Sequence, residues 1–169
     1  MISLQPVTEE NLDDIISLDV SLDQKEFMQA TNIRCIADAY VLNAEKMSAI
    51  PLGIYDDNQL VGFLMYTYDI LDHESFEGKE FYQQNSYFIW HIMIDQQHQG
   101  KGFGKLAFHK MIEEIETLPL GDSSYIALFY HQDNLTAKSL YTSFDFLETG
   151  VIQDESVMMI KSIGKKMTR

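Results

Sequence analysis

Gln99-Gly100-Lys101-Gly102-Phe103-Gly104-Lys105 decides the reading of this chain. It follows a nearly continuous apolar run, Ser86 to Ile94, which ends at Asp95. It opens an amphipathic stretch that reaches about Leu118, with Leu106, Ala107, Met111, Ile115 and Leu118 on one side and Glu113, Glu114 and Glu116 on the other. The apolar run reads as a strand buried on both faces. The stretch after the glycines reads as a helix that Pro119 and Gly121 stop. Glycines at alternate positions let the backbone approach a ligand closely and take positive φ. The first N–H groups of a helix lack internal partners and carry positive partial charge. Loop and helix start together therefore suit an anion such as a pyrophosphate. Lys101 and Lys105 add positive charge there. The glycines alone fit a tight, ligand-free connection equally well.

Spacing excludes two familiar phosphate motifs. G-x-G-x-x-G begun at Gly100 needs glycine where the chain has Lys105, which removes the dinucleotide and kinase loops in their usual form. G-x-x-x-x-G-K-[S/T] needs glycine at Gln99 and a hydroxyl residue at Leu106, which removes the P-loop.

Working outward, Ile2 to Val7 alternates as a strand does. Thr8, Glu9 and Glu10 then suit a helix start, and Leu12, Ile15, Ile16 and Val20 follow at helical spacing. A second helix is expected over about Arg34 to Lys46. Leu52 to Tyr55 and Gln59 to Tyr66 flank Asp56-Asp57-Asn58 as a hairpin. Asp69 to Asn85 is acidic, polar and aperiodic, and reads as a mobile loop. Tyr125 to Tyr130 reads as a strand, Asn134 to Phe144 as a helix, and Phe146 to Ile152 and Ser156 to Ile160 as two last strands. Strands and helices in this order predict a mixed sheet with helices on both faces. One domain spanning residues 1–169 is expected, with no linker and no internal repeat.

The chain has 169 residues, with 12 Lys+Arg against 26 Asp+Glu, a net charge of −14 and a pI near 4.5. Such a chain is a poor match for a phosphate backbone and is repelled by anionic lipid. It attracts cationic small molecules, although an acidic surface also simply keeps a protein soluble. The single cysteine, Cys35, excludes an intramolecular disulfide and reads as a buried, inert thiol. The five histidines are scattered, so no metal site is expected. Neither a leader segment nor an 18-residue apolar run is visible, and the expected location is cytoplasmic. The basic residues from Lys161 to Arg169 read as a short solvated tail.

Two segments carry a resemblance. Gln99-x-x-Gly102-x-Gly104 resembles the Q/R-x-x-G-x-G/A loop of the GNAT N-acetyltransferase superfamily. Asn134-x-x-Ala137-x-x-x-Tyr141-x-x-x-Asp145-Phe146 resembles that family's N-x-x-A-x-x-x-Y-x-x-x-G-F helix. Asp145 stands where glycine is usual; Asp tolerates turn conformations, so a variant helix end is expected. Within the superfamily the chain most resembles bacterial spermine/spermidine acetyltransferases, through Leu12 to Asp19, Gly53 to Tyr66 and Ile94 to Lys105.

The resemblance implies a GNAT-like fold with a mixed, mostly antiparallel sheet. It implies acetyl transfer from acetyl-coenzyme A to a primary amine, a polyamine such as spermidine or spermine being the expected acceptor. The pyrophosphate would rest on Gly100 to Lys105, the pantetheine arm beside Ile92, Met93 and Ile94, and Asn134 and Ala137 against the same arm. The N–H of Met93 or Ile94 would meet the developing oxyanion. Tyr141 matches the family's acid for the leaving thiolate. His91 is a candidate base, directly or through water, and a strand histidine satisfied by hydrogen bonds is the alternative. Asp19, Asp23 and Glu26 would hold distal ammonium groups, with Trp90 offering a cation–π face. Acetylation of another amine (an amino acid, an aminoglycoside, a protein N-terminus or lysine) and a catalytically silent acyl-coenzyme A sensor remain open. A homodimer is a reasonable expectation for such a fold.

Overall fold

The computed structural model describes residues 1–164. Its strands are β1 (Ile2–Pro6), β2 (Ser48–Asp56), β3 (Gln59–Ile70), β4 (Asn85–Ile94), β5 (Tyr125–His131), β6 (Leu147–Gln153) and β7 (Ser156–Ser162). Its helices are α1 (Leu12–Ser17), α2 (Leu22–Lys25), α3 (Asn32–Ala44), α4 (Phe103–Ile115) and α5 (Leu135–Thr142). The strands form one seven-stranded sheet in the order β1-β2-β3-β4-β5-β7-β6. Only β4 and β5 run parallel; the other neighbours are antiparallel. A parallel pair needs a crossover, and α4 supplies it. The expected mixed sheet is thus present.

Each face of the sheet has its own core. Ile15, Cys35, Ala39, Phe63, Met65 and Met93 pack α1 and α3 against one face. Ala107, Phe108, Met111, Ile115, Tyr141 and Phe146 pack α4 and α5 against the other. Cys35 is buried as expected, and burial pushes its thiol up to about 11.

Several boundaries differ from expectation for local reasons. Helix α3 starts at Asn32, because the Thr31 hydroxyl accepts the Arg34 N–H at 3.3 Å and caps it. Thr8 does not cap α1: its own N–H donates to Asn11 Oδ1 at 2.8 Å, and the helix begins at Leu12. Leu106 is 53% exposed, since the buried stripe of α4 is Ala107, Phe108, Met111, Ile112 and Ile115. The acidic connection between β3 and β4 is no loose loop: Leu71, Phe76 and Phe81 bury with Ala127, Val151 and Met158. Lys161 and Ser162 belong to β7 rather than to a tail. The remainder of the expected tail from residue 165 lies outside the described residues.

The helix end at Asp145 follows the sequence reading. Asp145 takes φ 67°. The Phe146 N–H donates to the Tyr141 carbonyl at 3.2 Å, and the Asp145 N–H to that of Thr142 at 3.1 Å. These are the two bonds of a Schellman ending. Phe146 then packs back on Tyr141, ring centroids 6.3 Å apart.

Candidate active site

Strands β4 and β5 pair only from Ser86–Tyr125 to Ile89–Leu128. Beyond that point they part, while β4 stays paired with β3 as far as Ile94. The gap opens into a cavity of about 980 Å³. Residues 89–94 of β4 and 128–131 of β5 line it, with Gly100, Gly102, Phe103 and Gly104 at one side and parts of α3 and α5 around it.

A bulge shapes the wall. The β3–β4 register runs Met65 to His91 and then Tyr66 to Ile89, so Trp90 is the extra residue. Tyr87 and Ile89 before it, and Ile92 and Ile94 after it, all pack toward α4 and α5. Met93 packs on the other core, and His91 meets Phe63 at 5.7 Å between ring centroids. One inserted residue shifts the alternation by one and directs the adjacent Trp90 and His91 away from the α4 face. Trp90 is 41% exposed at the cavity wall, so this strand is not buried on both faces throughout.

The glycine loop has the geometry of an anion cradle. Gly100 has φ 75° and Gly102, which caps α4, has φ 80°. Among the described residues, none of the backbone N–H groups from Gly100 to Lys105 has a hydrogen-bond partner. A Cβ at Gly100 or Gly102 would meet nothing within 4 Å, so open space lies over the loop. Gln99 holds the loop in place: its Nε2 donates to the Ile94 carbonyl at 2.9 Å and to Gln24 Oε1 at 2.7 Å. The Lys101 and Lys105 side chains do not line this cavity; Lys105 borders a neighbouring apolar groove with Leu106, His109 and Phe144.

Asn134 caps α5, its Oδ1 accepting the Ala137 N–H at 3.1 Å, and both residues line the cavity. Tyr141 lies one to two turns further along α5, also on the cavity. Burial pushes its hydroxyl up to about 12, and none of the described residues hydrogen-bonds it. His91 Nε2 lies 3.1 Å from Asn32 Oδ1. The Asn32 amide is oriented by its own donation to the Ile15 carbonyl at 2.9 Å. His91 therefore donates through Nε2–H, and Nδ1 keeps the free lone pair of the neutral ring. Burial lowers the ring's pKa to about 4.

The expected acceptor carboxylates divide. Asp23 reaches the cavity. Asp19 does not: its Oδ2 pairs with Lys25 Nζ at 2.6 Å and its Oδ1 accepts the Val20 N–H. Glu26 is exposed at the end of α2, off the cavity. Phe27, Arg34 and Asp38 on the cavity lining, and Asn32 behind His91, were not legible as site residues. Their only sequence signal was an ordinary amphipathic helix and its lead-in.

The fold and this cleft define an acetyltransferase. The acetyltransferase (GNAT) family model matches residues 12–146, and the chain belongs to that family. Acetyl-coenzyme A is accordingly its co-substrate, and the cradle fits it: unpartnered N–H groups face open space where a pyrophosphate needs donors. A spermine/spermidine N(1)-acetyltransferase of Bacillus subtilis (strain 168) is 29% identical over 163 residues, 94% of this chain and 97% of that protein. Solved structures that share the fold include two acetyltransferases. One is the spermidine N-acetyltransferase from Vibrio cholerae in complex with CoA and spermine (TM-score 0.67, 16% identity, 96% of this chain and 95% of that one). The other is an aminoglycoside acetyltransferase in complex with coenzyme A (TM-score 0.72, 17% identity, 96% and 95%). Among the described residues, no helix is long and apolar enough to cross a membrane.

Proposed function

We propose that this acetyltransferase acetylates a primary amine of a polyamine such as spermidine or spermine, by direct attack with both substrates bound. The observation that carries the reading is one continuous cavity. It joins the N–H cradle at α4 to a wall holding Trp90, Phe27, Asp23 and Asp38, with Tyr141 and His91 on its lining. Aromatic faces and carboxylates suit a cation with an apolar chain. The likeness to the Bacillus subtilis enzyme over most of both chains supports the same acceptor.

In this reading the β4 backbone beyond the bulge, at Ile92 to Ile94, pairs with the donor arm in the gap that β5 leaves. The N–H of Ile94 meets the carbonyl oxygen as it gains charge; that of Met93, the other expected donor, is spent on Phe63 in the β3–β4 ladder, since the Asp95 N–H donates to the Val61 carbonyl and the bonded pairs alternate. Tyr141 donates to the sulfur of the departing thiolate. A hydroxyl held near 12 stays protonated and favours a strong hydrogen bond over full ionisation against a thiol near 8.5. His91 receives a proton at Nδ1 only after attack has made the nitrogen acidic, because a ring near 4 is too weak to deprotonate a free alkylammonium. Asn134 and Ala137 border the donor arm, and Asp23 and Trp90 the acceptor.

Release of free thiol from acetyl-coenzyme A, measured with a panel of amines, tests this. Thiol release that depends on spermidine or spermine is expected. Release with an aminoglycoside or a peptide N-terminus, and none with polyamines, would reassign the acceptor. No release with any amine would leave a silent acyl-coenzyme A binder.

A further inference from the structure

We infer that Asp38 anchors the second, non-reacting ammonium of the acceptor, and that Arg34 holds its place until an acceptor arrives. This rests on the polyamine reading above. Both residues line the cavity from α3. The Asp38 side chain is 22% exposed and that of Arg34 is 70% exposed. Their contact is single: Arg34 Nε donates to Asp38 Oδ1 at 2.7 Å. Among the described residues, nothing donates to Asp38 Oδ2. A guanidinium that binds a carboxylate firmly does so through two parallel bonds. A one-bond pair with an exposed partner is weak and exchanges readily. The pair shows that a cation already fits this carboxylate, and that the resident cation can be displaced at small cost.

Position along the helix fits a second ammonium. Asn32, at the start of α3, holds His91 where the reacting nitrogen would be. Asp38 lies six positions further along α3, a rise of about 9 Å along the axis with a turn of about 120° around it, and lines the same cavity as His91. Phe27, Phe88 and Trp90 line the same cavity, Phe88 and Trp90 in edge contact with centroids 6.2 Å apart. They offer apolar faces for the methylene chain between two nitrogens. The acceptor class is therefore an amine with a second positive charge a short aliphatic chain away from the first. Asp38 sets that preference, and Arg34 competes with the ligand.

Steady-state kinetics with spermidine and with butylamine on Asp38→Asn, Asp38→Glu and Arg34→Gln test the proposal. The quantity read is the kcat/KM ratio of spermidine over butylamine. It should fall roughly tenfold in Asp38→Asn, stay near wild type in Asp38→Glu, and rise about threefold or more in Arg34→Gln, where the competitor is gone. A purely structural surface pair would move the two charge-removing variants in the same direction or not at all. Normal spermidine turnover with an unmoved ratio overturns this proposal alone. A wild-type enzyme that acetylates other amines but not spermidine overturns the polyamine reading, and this one with it. Thermal unfolding of each variant separates a loss of fold from a loss of preference.

Discussion

Tyr141 and His91 occupy the same cavity, yet burial acts on them in opposite ways. It raises the tyrosine to about 12 and lowers the histidine to about 4. Neither titrates between pH 6 and 9, so the rise of kcat/KM with pH in that range should follow the acceptor's own deprotonation. Changing to an amine of lower pKa should shift the profile down with it; a profile fixed across amines would point to an enzyme base instead. Tyr141→Phe keeps the ring on Phe108 and Phe146 and removes only the donor. It should lower kcat about tenfold to a hundredfold and leave the fold intact. His91 also links pH to stability. Its folded pKa lies below the unfolded value of about 6.5, so the unfolded chain binds the extra proton between those values. Stability should therefore fall on acidification from about pH 6.5 to about 4, by up to about 3 kcal/mol from this group. The loss should be shallower in His91→Gln when unfolding is followed by denaturant titration at each pH. The tyrosine was legible from its motif. The partner that fixes His91, Asn32, was not, since a contact between residues 59 apart leaves no local pattern.

The elements that make the site are β4, the loop after it and the two helices it serves. The loop was legible because backbone demands show in sequence: positive φ at Gly100 and Gly102 selects glycine. The end of α5 was legible for the same reason, with Asp145 at φ 67° carrying the turn. Gly102→Ala should cost about 1–2 kcal/mol through backbone strain alone, because a Cβ there meets nothing. It should also raise the KM for acetyl-coenzyme A if the αL turn aims the loop's N–H groups. Asp145→Gly should hold or gain stability, and Asp145→Val should lose about 1–2 kcal/mol, both readable in thermal unfolding. The bulge at Trp90 was invisible in sequence. Its nearly continuous apolar run reads as a strand buried on both faces, and only pairing with β3 shows which residue is extra. The packed connection between β3 and β4 was hidden by its charges, although Leu71, Phe76 and Phe81 carry it.

Over the whole molecule, a net charge of −14 surrounds a local cradle of backbone donors. Amides bind an anion without any formal charge, so the donor site and an acidic surface coexist. The field then favours a polycation at the other end of the cavity. KM for spermidine should rise several-fold between low salt and about 0.5 M salt, while KM for butylamine changes less. Equal responses would return the charge to a role in solubility. Fold class and family were legible because strand order and two motifs agree across most of the chain. The acceptor wall was legible only in part: of Asp19, Asp23 and Glu26, Asp23 alone reaches the cavity, while Asp38 does so unforeseen. The central claim is that this cleft moves acetyl to a polyamine. Its most direct test is a competition in one vessel: limiting acetyl-coenzyme A with equimolar spermidine, spermine, butylamine, an aminoglycoside and a peptide with a free N-terminus, and products identified by mass spectrometry. Acetylated spermidine or spermine should dominate. Acetyl found mainly on the aminoglycoside or the peptide would contradict the account.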